Sequence, residues 1–348
     1  MKFFQDFIPM NRSRRSTLAK LMVMDPCHTN ATHSTVQALP EFLQKGDVLV
    51  FNNAGTLPAS FHFETERGVV EVRLISNRSS QAQEPFSWTA VAYQGGDWRQ
   101  KTEDRQLFRT SKPLWFDDRD GVRVKLSPDG QAFHVEFIGQ KQDVWNYLFQ
   151  KGAPIQYSYH KEALELWDVQ TIFAGQPLAI EAPSAALHFD WSLIQDLKAK
   201  GVKIAFVSHA AGVSATGFPS VDVQLPLAEP YWIPTGTVDA IHRAQKSGHR
   251  VIGIGTSATR CLEASAAKGA LEPGFGVASI HLHKGFPLKV VDGLLSGLHE
   301  RDSSHLRLLE AFIEKEKLLT AYNEAVNRGY RHHEFGDLEL LCKKCSSF

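Results

Sequence analysis

The sequence predicts an α/β fold, a mainly parallel sheet with flanking helices, carrying an all-β module, and two patterns support this. Between about residues 50 and 150, short runs of alternating apolar and polar residues are separated by Gly, Asp, Asn and Ser clusters. After about residue 180, stretches with helical apolar spacing alternate with short, branched apolar runs. Alternating helices and buried strands imply a mainly parallel sheet covered by helices.

The elements follow in order. Residues 36–64 open with an approach helix or turn, and Gly46-Asp47 leads into Val48-Leu49-Val50-Phe51, which has the length and branching of a buried strand. Val69 to Ile75, Trp88 to Tyr93, Leu114 to Phe116, Val122 to Leu126 and Ala132 to Phe137 read as strands of a barrel or sandwich, with Asp129-Gly130 as a turn. Asp190 caps a helix that places Leu193, Ile194 and Leu197 on one face; Gly201 ends it before the strand Lys203 to Val207. A helix around Val238, Ile241 and Ala244 stops at Gly248 and precedes the strand Val251 to Ile254. A third helix runs from Thr256 to near Gly269 and leads to a strand from Val277 to Leu282; one long helix is expected from Ser303 to about Asn327.

Bulk properties narrow the function classes. The chain has 348 residues and 43% hydrophobic composition, enough for a sizeable core in one large or two modest domains. Lysine plus arginine (38) equals aspartate plus glutamate (38), so an RNA partner would need a local basic patch. Four cysteines, Cys27, Cys261, Cys342 and Cys345, are too few and scattered for a disulfide framework, which makes a reducing cytoplasm the default. Cys342 and Cys345 have the spacing of half a zinc or redox site, but no second pair stands at a typical distance and the C-terminal end is expected to fray, so no metal is expected. Gln5 and Asp6 interrupt the N-terminal apolar run, and no segment reaches the roughly 18 apolar residues of a membrane helix. Export and membrane insertion are therefore not expected.

Several residues are candidates for chemistry. Gly255-Thr256 stands where a buried strand gives way to a helix, so the helix start could hold a carboxylate or phosphate; Thr256 could equally be an ordinary N-cap. Arg260 and Glu263 share a helix side, where a surface ion pair is the plain alternative to a ligand contact. His188, between Leu187 and Phe189, is either a hydrogen-bonded core residue or a general acid–base. Asp292-Gly293 resembles a turn, His299 could face a crevice or solvent, and Gly336-Asp337 is similarly ambiguous. For RNA, the basic clusters are Arg12, Arg14, Arg15 and Lys20, then Arg99, Lys101, Arg105 and Arg109, with Trp98 and Phe108 as stacking candidates; a solvated mixed-charge loop is the alternative, since Asp97, Glu103 and Asp104 interleave.

Three blocks then fall in a familiar order: Ala182-Pro183-Ser184-Ala185-Ala186-Leu187-His188-Phe189, Gly255-Thr256-Ser257-Ala258-Thr259-Arg260-Cys261-Leu262-Glu263, and Val290-Val291-Asp292-Gly293-Leu294. With Gly46 to Asn52, Leu57-Pro58-Ala59, Gln170 to Ala174 and Phe335-Gly336-Asp337, they cover nearly the whole chain. The sequence resembles the S-adenosylmethionine:tRNA ribosyltransferase-isomerases of queuosine biosynthesis. The resemblance implies a discontinuous α/β domain (1–60 and 151–348) with a β-barrel-like insert (61–150). It also implies transfer and isomerisation of the ribosyl part of S-adenosylmethionine, as co-substrate, onto 7-aminomethyl-7-deazaguanine in a tRNA anticodon, giving epoxyqueuosine, adenine and methionine. On matched positions it assigns Ser184, Asn52, Thr256, Ser257 and Arg260 to S-adenosylmethionine or the target base, and His188, Asp292 and Glu263 to the reacting centre. The expected partners are the tRNA anticodon region and a nucleoside substrate, with no membrane; the oligomeric state is open, with a monomer favoured.

Departures gather where function should lie. Asn52-Asn53-Ala54-Gly55 lacks an acid and an arginine of the family pattern, and His209 to Pro219 keeps neither the histidine nor the arginine of a family loop in an obvious place. Of a His-Ser-Glu run only Glu229 survives, and Asp302 replaces an arginine. Two further readings therefore stand beside the family reaction: a paralogue using S-adenosylmethionine or a nucleoside with another acceptor, and a non-catalytic RNA-binding or scaffold protein.

Overall fold

The computed structural model describes residues 19–77, 86–97, 99–101, 104–117, 121–160, 162–267, 269–299 and 303–344. The chain opens with β1 (Lys20–Met24), β2 (Thr32–Thr35), β3 (Val48–Asn52) and the short β4 (Gly55–Thr56). It continues through β5 (Ser60–Thr65), β6 (Gly68–Asn77), β7 (Ser87–Gln94), β8 (Leu114–Asp117), β9 (Arg123–Asp129), β10 (Ala132–Ile138) and the helix α1 (Lys141–Lys151). After β11 (Pro177–Ala179) come α2 (Trp191–Ala199), β12 (Lys203–His209), α3 (Pro219–Asp222), β13 (Glu229–Ile233), α4 (Thr235–Lys246), β14 (Val251–Ile254) and α5 (Thr256–Ala266). β15 (Gly274–Ala278), β16 (Gly293–Gly297), α6 (Ser304–Leu309), α7 (Lys315–Asn327) and β17 (Leu338–Cys342) complete it.

Nine strands form one sheet in the order β15-β13-β12-β3-β14-β16-β17-β1-β2. The mainly parallel sheet expected from the sequence is in fact mixed. Its centre, β12-β3-β14-β16, is parallel, as is β17-β1, but β13, β15 and β2 join antiparallel at the flanks and β16 pairs antiparallel with β17. Apolar runs report burial, not strand direction, and this is why the sequence pattern missed the reversals.

Side-chain alternation builds a core on each sheet face. Val48 and Val50 pack with residues of α4, α5 and α7, whereas Leu49 and Phe51 pack with α2 and the turn at 184–186. Asp190 caps α2 by accepting a hydrogen bond from the Leu193 N–H at 2.8 Å, and Gly201, at φ +88°, turns the chain into β12. The expected helix over 303–327 is two helices, α6 and α7, separated by a turn in which the Phe312 and Ile313 N–H groups both bond the Leu309 carbonyl and all three side chains are buried. Periodicity alone does not register a break that keeps its apolar residues inside. Near the C-terminus, β17 is wholly buried between β16 and β1, while the end expected to fray, residues 345–348, falls outside the described residues. Cys342 lies within β17, with the Arg250 guanidinium 3.9 Å from its sulfur, and Cys345 falls outside the described residues. Cys27 is disulfide-bonded.

The second sheet is antiparallel throughout, in the order β5-β6-β7-β10-β9-β8. It curls until its edge strands approach each other, Phe63 of β5 stacking on Phe116 of β8 at 4.3 Å. The unforeseen α1 packs Val144, Tyr147 and Leu148 against this core, which also reaches Ile155 and Tyr157 in the following loop.

Candidate active site

The parallel strands β12, β3, β14 and β16 all end on one side of the sheet, and a cavity of about 740 Å³ opens there, the usual place for a ligand in an open α/β sheet. β14 enters α5 through Gly255, whose φ of +87° suits glycine. Gly255 occupies the cap position and no side chain caps the helix. Thr256 is therefore not the N-cap; it lines the cavity together with Ser257, and the helix start leaves backbone N–H groups available to an anion.

Asn52, at the end of β3, ties the strand ends to this helix. Its Nδ2 donates to the His209 carbonyl at 3.0 Å and the Ser257 hydroxyl at 3.2 Å, while its Oδ1 accepts from the His209 and Ala54 N–H groups at 2.9 and 3.0 Å. Asn52 stands behind the cavity wall, positioning Ser257.

A buried ionic network supports one side. Arg260 donates to the carboxylate of Glu229 and to the carbonyls of Ile280 (2.9 Å), Leu227 (2.8 Å) and Ala278 (2.9 Å). Glu229 also accepts from the Gly212 N–H at 2.6 Å and lies 2.9 Å from Nε2 of His209, whose Nδ1–H donates to the Ser257 carbonyl at 2.6 Å. Burial would raise the Glu229 pKa, but His209 and Arg260 hold it below its ordinary value. Burial lowers that of Arg260 against the pull of Glu229. Arg260 thus makes no surface pair with Glu263; it locks β13, β15 and the cavity loops together.

The opposite wall carries two carboxylate–tyrosine pairs. Tyr157 donates to Oε1 of Glu181, which also accepts from the Ser214 N–H (3.0 Å) and hydroxyl (3.1 Å). Tyr159 donates to the Glu334 carboxylate at 2.7 Å and stacks on Tyr157 at 5.5 Å and on His333 at 3.6 Å. Burial, reinforced by Glu334 and opposed by Tyr157 and Ser214, pushes Glu181 up to about 7. His299 and His305 stack at 4.6 Å on a third side, both pKa values lowered by burial, that of His305 to about 4. His299 also faces the Ser296 hydroxyl at 2.8 Å.

Of the residues assigned from the sequence, Ser184, Thr256, Ser257 and Arg260 line this cavity; His188, Glu263, Asp292 and Asn52 do not. Glu263 is consumed by three backbone N–H groups, those of Lys289 (2.9 Å), Val290 (2.9 Å) and Val291 (2.8 Å). Asp292 accepts from the Val251 N–H at 3.1 Å, at the opposite end of β14 from Gly255. His188 is buried, its ring nitrogens without a well-formed hydrogen bond among the described residues, and burial lowers its pKa to about 4 against the pull of Asp337. Asp337 in turn accepts from the Lys20 and Arg331 N–H groups at 2.8 Å each, a structural role. The residues that sequence reasoning passed over are Glu181, Tyr157, Tyr159, Glu334 and His209. Glu181 immediately precedes the first family block; His209 ends a strand that had been identified, yet was counted with a lost loop.

The basic candidates separate. Lys101 lines the cavity. Arg105 is buried against Glu71, and Phe108 is buried beside Phe133, unable to stack on a base. Arg99 pairs with Asp97 at 3.4 Å, Arg109 donates to Gln131 at 2.5 Å, and Lys20 donates to the carbonyls of Arg328 and Gly329 at 2.5 and 2.9 Å. Arg12, Arg14, Arg15, Trp98 and Asp302 lie outside the described residues. Among the described residues no cluster of His, Cys, Asp or Glu is arranged to hold a metal ion, and no helix is long and apolar enough to cross a membrane.

Residues 5–341 match a family described as queuosine biosynthesis protein. Similar curated proteins include the S-adenosylmethionine:tRNA ribosyltransferase-isomerases of Carboxydothermus hydrogenoformans, 30% identical over 98% of this chain and 99% of that one, and of Thermus thermophilus, 31% identical over 89% and 88%. A crystal structure of S-adenosylmethionine tRNA ribosyltransferase from Thermotoga maritima has a similar fold, with a TM-score of 0.51 and 23% identity over 97% of this chain and 96% of that one.

Proposed function

The chain belongs to the queuosine biosynthesis protein family, alongside S-adenosylmethionine:tRNA ribosyltransferase-isomerases, and from that premise we propose that it transfers and isomerises the ribosyl moiety of S-adenosylmethionine onto 7-aminomethyl-7-deazaguanine in tRNA. The products are epoxyqueuosine in tRNA, adenine and methionine. The observation carrying this reading is convergence: two blocks distant in sequence, at Ser184 and at Gly255-Thr256-Ser257, border the same cavity at the strand ends.

The chemistry asks for a held sulfonium, an exposed target base and a group that moves a proton. In this reading the start of α5 receives the methionine carboxylate, through backbone N–H groups and the helix dipole. Ser184 and Ser257 orient the nucleoside. Lys101 and Arg307, which border the cavity, meet the tRNA backbone as local cations on a chain of zero net charge. Arg260, at the cavity wall, holds the loops that shape the site.

The test is to incubate the protein with S-adenosylmethionine and tRNA carrying the 7-aminomethyl-7-deazaguanine precursor, and to measure adenine and methionine. Stoichiometric release of both with modified tRNA supports the proposal. Tight S-adenosylmethionine binding without turnover on this tRNA rejects this acceptor in favour of another, and absence of binding to either substrate rejects the enzymatic reading.

A further inference from the structure

We propose that Glu181 is the group that takes the proton in this reaction, held in place by Tyr157 and Ser214; the assignment rests on reading the cavity as the S-adenosylmethionine site.

Each carboxylate of the cavity already has partners, and they differ in what those partners leave open. Glu229 is occupied by Arg260, His209 and the Gly212 N–H. Glu334 accepts the Tyr159 hydroxyl on both of its oxygens at 2.7 Å. Glu181 differs, because all three of its donors, the Tyr157 hydroxyl and the Ser214 N–H and hydroxyl, converge on Oε1. Oε2 has no hydrogen-bond partner among the described residues, and Glu181 is one of the residues that border the cavity. One oxygen anchors the side chain; the other is open to a substrate. Anchoring of this kind fixes a base in one orientation, which proton transfer requires.

The surroundings suit the task. Tyr157 and Glu334 act on Glu181 directly, Tyr159 stacks beside Tyr157, Arg73 of β6 lies 5.9 Å behind the Tyr157 ring, and Lys101 borders the same cavity. Burial and Glu334 raise Glu181 to about 7 against the donors that favour its anion, so both protonation states are populated near neutral pH. His188 is sealed away from the cavity, and the carboxylates of Glu263 and Asp292 serve backbone amides outside it.

A C–H bond on the ribosyl carbon next to the sulfonium breaks, and an O–H bond forms at Oε2 of Glu181. The electron pair stays on carbon, where the adjoining sulfonium cation stabilises it, and in the absence of tRNA the carboxylic acid exchanges its proton with solvent and returns one to that same carbon. Tyr157 is a positioning residue: its hydroxyl favours the ionised base and touches no reacting atom.

The experiment has two arms. Hydrogen exchange into S-adenosylmethionine is followed in deuterated buffer without tRNA, and full turnover is followed with the precursor tRNA, both across pH. In E181Q, which keeps an oxygen acceptor for Ser214, exchange and kcat are expected to fall by about 10²–10⁴-fold while S-adenosylmethionine binding is retained. In Y157F, loss of a donor to the anion is expected to move the acidic limb of the rate profile to higher pH. The Y157F arm decides the matter if E181Q does not fold. Exchange that depends on Glu181 without turnover on this tRNA supports the assignment and overturns only the acceptor. Turnover that survives E181Q, an unmoved limb in Y157F, or a wild type showing neither exchange nor turnover overturns it.

Discussion

Substitution of Glu229 by glutamine tests how the cavity is held together. The side chain keeps its shape and its acceptor for the Gly212 N–H, but an amide replaces the oxygen shared by Arg260 and His209. Arg260, 4% exposed, is left as a buried cation without its carboxylate. Breaking a buried pair in this way costs about 3–5 kcal/mol. Because the carbonyls of Ile280, Leu227 and Ala278 still receive the guanidinium, the lower end, about 3 kcal/mol, is expected. With a urea m-value of about 1–3 kcal/mol/M, the unfolding midpoint falls by roughly 1–3 M. The pH dependence has a definite sign. The folded-state pKa of Glu229 is lowered from 4.5, so the advantage of wild type over E229Q is full above that pH and shrinks as pH falls through the folded value. Equilibrium urea unfolding near neutral and in acid measures both effects. A loss below about 1 kcal/mol, or an advantage that grows in acid, would refute the network as the brace of the site.

Two further substitutions separate structure from chemistry. E263A orphans two buried N–H groups and a third that is partly buried and is expected to cost about 2–3 kcal/mol or more by urea unfolding while folded protein retains its affinity for S-adenosylmethionine; unchanged stability with lost turnover would return Glu263 to the chemistry. His188, at about 4 in the folded state against 6.5 unfolded, contributes stability that is present above pH 6.5 and lost as pH falls toward 4. H188L is expected to retain turnover and to flatten that part of the stability–pH curve, and loss of turnover in a fully folded variant would contradict the core role.

Much of the fold could be read from the sequence because burial leaves a local imprint. The branched run at Val48–Phe51, the Asp190 cap and the stop at Gly201 are decided by nearby residues, and each appears as expected. Strand direction was not legible, since nothing local in β13 marks its reversal against β12, nor in β17 its reversal against β16. The site divides along the same line. Gly255 to Ser257 could be recognised because a strand-to-helix junction carries its own signal. Glu181, Tyr157 and Glu334 come from segments far apart in the chain, and none has a local pattern that separates it from an ordinary loop residue. Glu263 and Asp292 show the converse: their blocks are recognisable, yet their carboxylates secure backbone amides that only the folded chain brings to them.

The central claim is that S-adenosylmethionine occupies the cavity at the carboxyl ends of β12, β3, β14 and β16. A crystal soaked with S-adenosylmethionine tests it most directly. The account predicts density with its carboxylate at the Gly255–Ser257 helix start and its ribosyl carbons within reach of Glu181. Density bound elsewhere on the protein, or an empty cavity at saturating ligand, would contradict it.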